Sequence, residues 1–510
     1  MMPQMPPVFP TAVHMLVDAA ARAPGREAVV CGATRLTCEA YLRCVMAFAA
    51  ALRAEGVRGG RVAIVLGNSV DICVALLGAQ AAGAQVAPIN PLLTTTELAS
   101  LLADIDAAAI VYEHSLASGV EPLAERLGVR VRISIGPGDL APARWRTAPS
   151  AFGPDLLPSA EALALLLYTG GTTGEPKGVD LTHAAGAHGV AQLNSLVPTR
   201  PETERLLCAT PLCHIYSIMV GLYNMLYCRG TLVIVPRYTP EAVIAALDAE
   251  SITMLAGAPT MFFGLLAHER LSQGRFAHLR CSYSGSSALP EETLHRWELA
   301  TGAPVLEGYG QTETGGGVVF NPLDGVRKPG SVGIPMAEVE VQVVDIDTGT
   351  IVLPVGETGE IRLRGPQLMA GYRGRPEATA AVRRGGWLYT TDIGHLDADG
   401  YLYISDRKKD MVIVSGFNVY PRAVEEVLYR HPDVVEAAVI GVPDAKQGEA
   451  LRAFVVRRPG SRIDAETIVR HCRSELAAYK VPRLICFVDA LPKTPVGKID
   501  KKQLRQAPVD

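Results

Sequence analysis

The sequence predicts an α/β protein: a large N-terminal domain of helix-covered sheets with a β-rich subdomain, then a small α+β C-terminal domain. Three observations carry this. The first half alternates strand-like apolar runs with helical patterns, the rhythm of parallel sheets covered by helices. From about Gly333 the rhythm becomes a two-residue alternation, as in half-exposed antiparallel strands. The charged stretch Asp406-Arg-Lys-Lys-Asp410 then sets apart a last segment of about 100 residues, enough for a domain of its own. A chain of 510 residues accommodates about three such units. The boundaries read as 1–406 for the N-terminal domain, with its β-rich part at about 333–404, then a hinge at 407–410 and a C-terminal domain at 411–510.

Arg61–Leu66 is a strand candidate, and Asn68-Ser-Val-Asp71 caps a helix that runs to about Ala82. Gln85–Pro88 returns as a strand, and the pattern recurs at Ala108–Tyr112 and at Gly230–Val235 before a helix from Pro240. The most apolar stretch, Ile215–Cys228, contains Asn224; it is too short to span a bilayer and reads as a buried helix. Val339–Asp345 and Gly359–Gly365 are the alternating strands of the β-rich part. Past residue 410, Met411–Val414 is a strand and Pro421 opens a helix with Val424, Val427 and Leu428 on one face. Strands near Val435–Val442 and Arg452–Val456 follow, then a helix from about Asp464 to Ala478.

Apolar residues make up 48% of the chain and charged residues 20%, a globular composition with a large core. The net charge is −4 and the longest basic run, Arg407-Lys408-Lys409, ends at once at Asp410, so no basic field points to a nucleic-acid partner. The ten cysteines form no C-x-x-C pair, and the eleven histidines show no metal-ligand spacing. Those cysteines read as reduced, mostly buried thiols of a cytoplasmic protein. Met1–Val8 has no basic region followed by an apolar core, so no signal peptide is expected.

The chemistry concentrates in Tyr168-Thr-Gly-Gly-Thr-Thr-Gly-Glu-Pro-Lys-Gly178, after the apolar run Ala162–Leu167. Glycines let backbone N–H groups approach a phosphate, threonines add hydroxyl donors, and Lys177 adds a mobile positive charge. The string is not the common G-x-x-x-x-G-K-[ST] phosphate loop. Further along stand Ser284-Gly-Ser-Ser287, Glu307-Gly-Tyr-Gly-Gln-Thr-Glu313, Trp387-Leu-Tyr-Thr-Thr-Asp-Ile-Gly394 and Leu491-Pro-Lys-Thr-Pro-Val-Gly-Lys-Ile-Asp500.

In that order, from about residue 10 to 505, these strings resemble the motifs of the adenylate-forming superfamily of acyl-CoA synthetases, peptide-synthetase adenylation domains and beetle luciferases. The resemblance implies ATP, Mg²⁺ and coenzyme A as the small molecules bound. It places Thr169, Gly170, Gly171, Thr172, Thr173, Gly174 and Lys177 around the phosphates. Gly285, Ser286, Ser287, Glu307, Gly308, Tyr309 and Gly310 would flank the nucleotide, Thr312 would contact the α-phosphate, and Glu313 would hold the metal. Asp392 would accept the ribose hydroxyls with Arg407 beside it, and Lys498 would be the catalytic lysine. Lys409 matches the hinge about which the small domain swings between half-reactions. Ser415, Gly416 and Phe417 match the strand that lines the pantetheine tunnel. Gly170 stands where the family usually has serine, and Thr391 where it has glycine.

His214, Tyr216 and Gly308 would line the acyl pocket, with His214 beside the carboxylate. The segment Pro211-Leu-Cys-His-Ile-Tyr216 offers no acid to pair with a substrate ammonium, which argues against an amino acid. Gly308, where malonate activators carry arginine, implies a monocarboxylate. Ser405–Pro421 resembles bacterial fatty-acyl-CoA ligases, so a medium- or long-chain fatty acid and CoA are expected. An aryl acid of the benzoate or cinnamate type is the alternative substrate, and acyl carrier protein the alternative acceptor. The alternative of another class is a catalytically silent nucleotide- or acyl-binding relative.

Overall fold

The computed structural model describes residues 3–136, 157–169, 176–273, 276–408, 410–415, 417–444, 446–494 and 498–506. Two large sheets enclose a layer of helices. In the first, the parallel strands Gln85–Pro88, Arg61–Val65, Ala109–Glu113 and Val131–Ile135 run out from the antiparallel pair Leu163–Thr169 and Lys177–Thr182. The second runs parallel through Glu27–Cys31, Thr231–Ile234, Arg205–Cys208, Met254–Gly257, Cys281–Ser284 and Val305–Gln311. It ends in the antiparallel strands Gly316–Phe320 and Ile334–Pro335.

Strand alternation decides what fills each face. Val62 and Ile64 join Val29, Leu206 and Leu232 in one core shared by both sheets. Their neighbours Ala63 and Val65 face a separate cluster under helices Thr95–Ile105 and Ala117–Arg126. Val30, Leu207 and Val233 face a third, under Pro240–Ala249, Pro259–Ala267 and Glu291–Thr301. Helix Val70–Ala81 lies in the shared core, and every residue in it except Asp71 is buried. It begins where the sequence indicates, with the Ser69 hydroxyl accepting from the Ile72 N–H.

The apolar stretch after His214 is buried as expected but is not one regular helix. Ser217–Tyr223 is wound as a π-helix and continues as the α-helix Asn224–Tyr227. The wider winding pushes Met219 and Tyr223 against helix His183–Leu196. Gly189 and Gly186 leave room there: a Cβ would stand 2.9 Å from Met219 and 3.2 Å from Tyr223.

Glu340–Val344, Gly359–Arg364, Trp387–Leu396 and Leu402–Arg407 pair antiparallel in a third sheet. Beyond residue 411 a fourth sheet forms around the long pair Val434–Asp444 and Gly448–Arg457. Ala437 and Val439 pack under helices Pro421–Tyr429 and Ala465–Glu475, while Ala438 and Ile440 pack against Leu491 and Leu504. This last part docks on what precedes it. The Arg422 N–H donates to Asp406 at 3.1 Å, its guanidinium donates to the Ile404 carbonyl at 2.9 Å, and the Tyr429 ring stacks on Phe263. None of the ten cysteines is in a disulfide, and seven are buried. Among the described residues no helix is long and apolar enough to cross a membrane.

Thr391, in the middle of strand Trp387–Leu396, has φ of +62°. That is the left-handed region, which strains a β-branched residue. The strain is about 1–2 kcal/mol, and glycine returns about 0.5–1 kcal/mol of it as unfolded-chain entropy. Thr391→Gly should therefore stabilise the fold by about 0.5–1 kcal/mol, read as a higher thermal midpoint. A lower midpoint would mean that Thr391 makes contacts worth more than its strain.

Candidate functional site

The antiparallel pair that carries the glycine–threonine string brings Thr169 opposite Lys177. The two described ends of the string therefore lie side by side. Gly170, Gly171, Thr172, Thr173 and Gly174 lie outside the described residues, as do Lys409 and Gly416.

Asp392 is the meeting point of the site. It is 5% exposed, and its Oδ2 accepts hydrogen bonds from the Tyr309 hydroxyl at 2.6 Å and from Gln311 Nε2 at 2.7 Å. Arg407 is its partner across the strand pair, with Nε 3.5 Å from Oδ1. Burial and the Asp392 charge push the Tyr309 phenol well up, so it remains a donor. A ligand with two hydroxyls thus meets Oδ1 first, beside Arg407, since Oδ2 is already a double acceptor. Glycine is required close by: a Cβ on Gly310 would collide with the Gly316 carbonyl.

Lys498 comes to this cluster from the far end of the chain. Its backbone is pinned by a two-way bond with Thr494, whose N–H donates to the Lys498 carbonyl at 2.7 Å. Burial, together with the Arg407 charge, lowers the ammonium to about 8, and Asp392 and Glu313 oppose the shift. Burial, then Lys498, lowers His214 to about 3, so the imidazole is neutral. Its Nδ1 accepts from the Tyr216 N–H at 3.3 Å.

Glu313 and Thr312 follow directly on strand Val305–Gln311, at its turn into Gly316–Phe320. Glu313 Oε1 accepts from the Tyr372 hydroxyl at 2.9 Å, which leaves most of the carboxylate's lone pairs for a cation. No group of three or more His, Cys, Asp or Glu that could hold a metal occurs among the described residues. A single carboxylate with one oxygen fixed by Tyr372 and its other lone pairs open does fit Mg²⁺, which keeps waters and binds through one or two carboxylates plus substrate phosphates.

The turn Gly285–Ser287 follows strand Cys281–Ser284, with Ser286 at φ of +73°. Tyr216 braces it from below: the ring lies 2.9 Å from where a Gly285 Cβ would be, and its hydroxyl donates to the carbonyls of Gly257 and Tyr283. Glu307 is behind the turn rather than open to it. It is 2% exposed, its Oε1 accepts from the Leu289 N–H, and burial raises it to about 7 against the pull of Arg422.

Gly308 faces the ring of Phe320, which fills the space that a side chain at 308 would need. Next to that ring is a void of about 10 Å³ lined by Gly189, Leu193, Met219, Val220, Gly315, Gly317 and Phe320. Every lining group is apolar or glycine. The void is about the size of one water probe, so anything larger enters only when Met219 or Phe320 turns aside. Ser415 and Phe417 are exposed, Phe417 stacking on Tyr479 at 4.7 Å.

Two contributors escape a reading of the sequence. Gln311 lies inside the Glu307–Glu313 string, yet nothing local shows that its amide reaches Asp392. Tyr372 touches Glu313 across 59 positions of chain, and its strand-like Gly-Tyr pair carries no motif of its own.

The family described as AMP-binding enzyme matches residues 16–373, and the AMP-binding enzyme C-terminal domain matches residues 423–498. A long-chain-fatty-acid–CoA ligase of Bacillus subtilis (strain 168) is 34% identical, over 97% of this chain and 94% of its own length. A feruloyl-CoA synthase of an Amycolatopsis species is 38% identical, over 96% and 97%. Among solved structures, an anthranilate CoA ligase in complex with anthranoyl-AMP superposes with a TM-score of 0.92 at 29% identity, covering 98% of each chain.

The lowered Lys498 gives a pH prediction. The cation is fully present below about 8 and is lost as pH rises through that value. With Lys498 acting as a cation on ATP, kcat/KM for ATP should be level near neutrality and fall above about 8, because kcat/KM reports the free enzyme. His214 adds no step there, being neutral throughout. Initial rates of AMP formation against pH check this; an increase above about 8 would contradict a cationic role.

Proposed function

The chain belongs to the AMP-binding enzyme family, and on that footing we propose that it joins a monocarboxylic acid to coenzyme A at the expense of ATP, through an acyl-AMP intermediate. The observation that carries this reading is the convergence of Arg407, buried Asp392, Glu313 and neutral His214 around Lys498.

A carboxylate is a poor electrophile because its charge repels nucleophiles and oxide leaves badly. In the first half-reaction one carboxylate oxygen attacks the α-phosphorus of ATP. The bond to the β-phosphate breaks, and pyrophosphate departs with its electron pair. Charge builds on the α-phosphate oxygens, where the Lys498 ammonium and Thr312 stabilise it by fixed electrostatics and orientation. Mg²⁺, when bound at Glu313, supplies Lewis-acid stabilisation of the phosphate charge. Asp392 and Arg407 orient the ribose, Tyr309 presents its ring to the adenine, and the glycine–threonine string 168–178 binds the polyphosphate. Neutral His214 meets the acid without adding a charge of its own. In the second half-reaction the thiol sulfur attacks the acyl carbon, the thiol proton goes to solvent, and AMP leaves as the C–O bond breaks. Residues 407–410, with Lys409, act as the hinge between the two steps, and Ser415, Gly416 and Phe417 line the approach of the pantetheine arm. Seven buried and no paired cysteines fit a reducing compartment, so we place the enzyme in the cytoplasm.

The apolar void behind Phe320 favours a fatty acid over an acid with polar ring substituents. A site that selects a hydroxylated ring places a hydrogen-bond partner for it, and the lining supplies no polar side chain. The feruloyl-CoA synthase relative at 38% identity favours an aryl acid as the second reading.

A panel of fatty and aryl acids, scored for AMP release with CoA, with acyl carrier protein and with neither, tests both. Sustained AMP and acyl-CoA formation with medium- or long-chain fatty acids is expected. Turnover confined to aryl acids would give the site to the second reading, turnover only with carrier protein would change the acceptor, and none with any acid would leave a silent relative.

A further inference from the structure

One side chain touches both charged groups at the polyphosphate end of the site. The Tyr372 hydroxyl donates to Glu313 Oε1 at 2.9 Å. Its ring carries the Lys177 ammonium, 5.1 Å from the centroid. Its backbone is held firmly. Strand Gly371–Tyr372 pairs with Val179 and Asp180, the Tyr372 N–H donates to Thr379 Oγ1 at 2.9 Å, and the Arg373 N–H donates to the Gly178 carbonyl at 2.8 Å. The Arg373 guanidinium also reaches the Asp104 carbonyl at 2.8 Å, and the Met369 N–H donates to the Glu313 carbonyl at 3.0 Å. Tyr372 is therefore a rigid post between strand Lys177–Thr182 and the turn that carries Glu313.

We propose that Tyr372 is a positioning residue for the metal–polyphosphate end of the site, setting the Glu313 carboxylate with its hydroxyl and the Lys177 ammonium with its ring. The two functions divide between two parts of one side chain. The O–H fixes one carboxylate oxygen and leaves the other lone pairs for a cation. The ring face holds the ammonium by cation–π attraction without neutralising it. Each charge stays available to the ligand instead of quenching the other. The proposal rests on the nucleotide-activating reading above, and goes beyond it in assigning a residue that no motif marks.

Calorimetric titration of ATP into the full chain, with Mg²⁺ and again with excess chelator, separates the two parts. Tyr372→Phe keeps the ring and loses the hydroxyl. It should lose about tenfold of the affinity that Mg²⁺ adds, the scale of a hydrogen bond to a charged group, with chelated ATP binding as in the unaltered chain. Tyr372→Leu loses both parts and should in addition weaken chelated ATP by about threefold. In turnover, Tyr372→Phe should raise the Mg²⁺ concentration for half-maximal rate while saturating Mg²⁺ restores kcat; a general structural defect would lower kcat at every Mg²⁺ concentration. In a Glu313→Gln background Tyr372→Phe should add no further loss of the Mg²⁺ increment. A Tyr372→Phe chain with the full increment, or with its losses undiminished in Glu313→Gln, overturns the proposal alone. An unaltered chain that binds no ATP under either condition overturns the parent reading as well.

Discussion

A single buried carboxylate ties the parts of this protein together. Asp392 belongs to the third sheet, yet its Oδ2 takes hydrogen bonds from Tyr309 and Gln311, on the last of the parallel strands of the second. Its Oδ1 faces Arg407, the last residue before the chain leaves for its C-terminal part. Lys498, from that C-terminal part, sits in its field. A carboxylate at 5% exposure is costly unless it is paired and hydrogen-bonded, and its partners come from a strand of the second sheet, from the neighbouring strand of its own sheet and from the C-terminal part. Breaking any of these associations leaves a buried charge undercompensated, so the folded core and the competent site are stabilised by the same contacts.

The same carboxylate explains why strain is tolerated next to it. Thr391, at φ of +62°, turns the strand so that Asp392 points inward, and its carbonyl accepts from the Lys408 N–H at 2.9 Å. Lys408 in turn reaches the Ile346 carbonyl and the buried Glu360. The charged stretch between the third and fourth sheets is therefore anchored on one side by Lys408 and on the other by Asp406, which accepts from the N–H groups of Arg407 and Arg422. With the fourth sheet docked in this way, Lys498 is presented to Asp392 and Glu313 rather than to solvent.

What the sequence discloses is what depends on periodicity and on short strings. Arg61–Val65 and Val70–Ala81 follow from apolar patterning and a serine cap, and the shift to alternation from about Gly333 marks the third sheet. The site strings name Asp392, Glu313 and Lys498, and the departure at Thr391 points to the backbone question that its φ answers. What stays hidden depends on tertiary meetings. Nothing near Gly308 signals that the Phe320 ring will fill its space, and a uniform apolar run does not distinguish π from α winding in Ser217–Tyr223. Gln311 and Tyr372 acquire their roles only when strands distant in sequence are brought together. Glu307 lies in the best string of all, yet its carboxylate is buried and accepts from the Leu289 N–H.

The central claim is that Lys498 serves the first half-reaction and is dispensable for the second. Lys498→Ala tests it when the two are assayed apart, ATP–pyrophosphate exchange for adenylation and thioester formation from supplied acyl-AMP for transfer. Loss of one preorganised charge at the reacting phosphate should slow exchange by about a hundredfold or more, with thioester formation close to that of the unaltered chain. Equal loss of both steps would contradict the account.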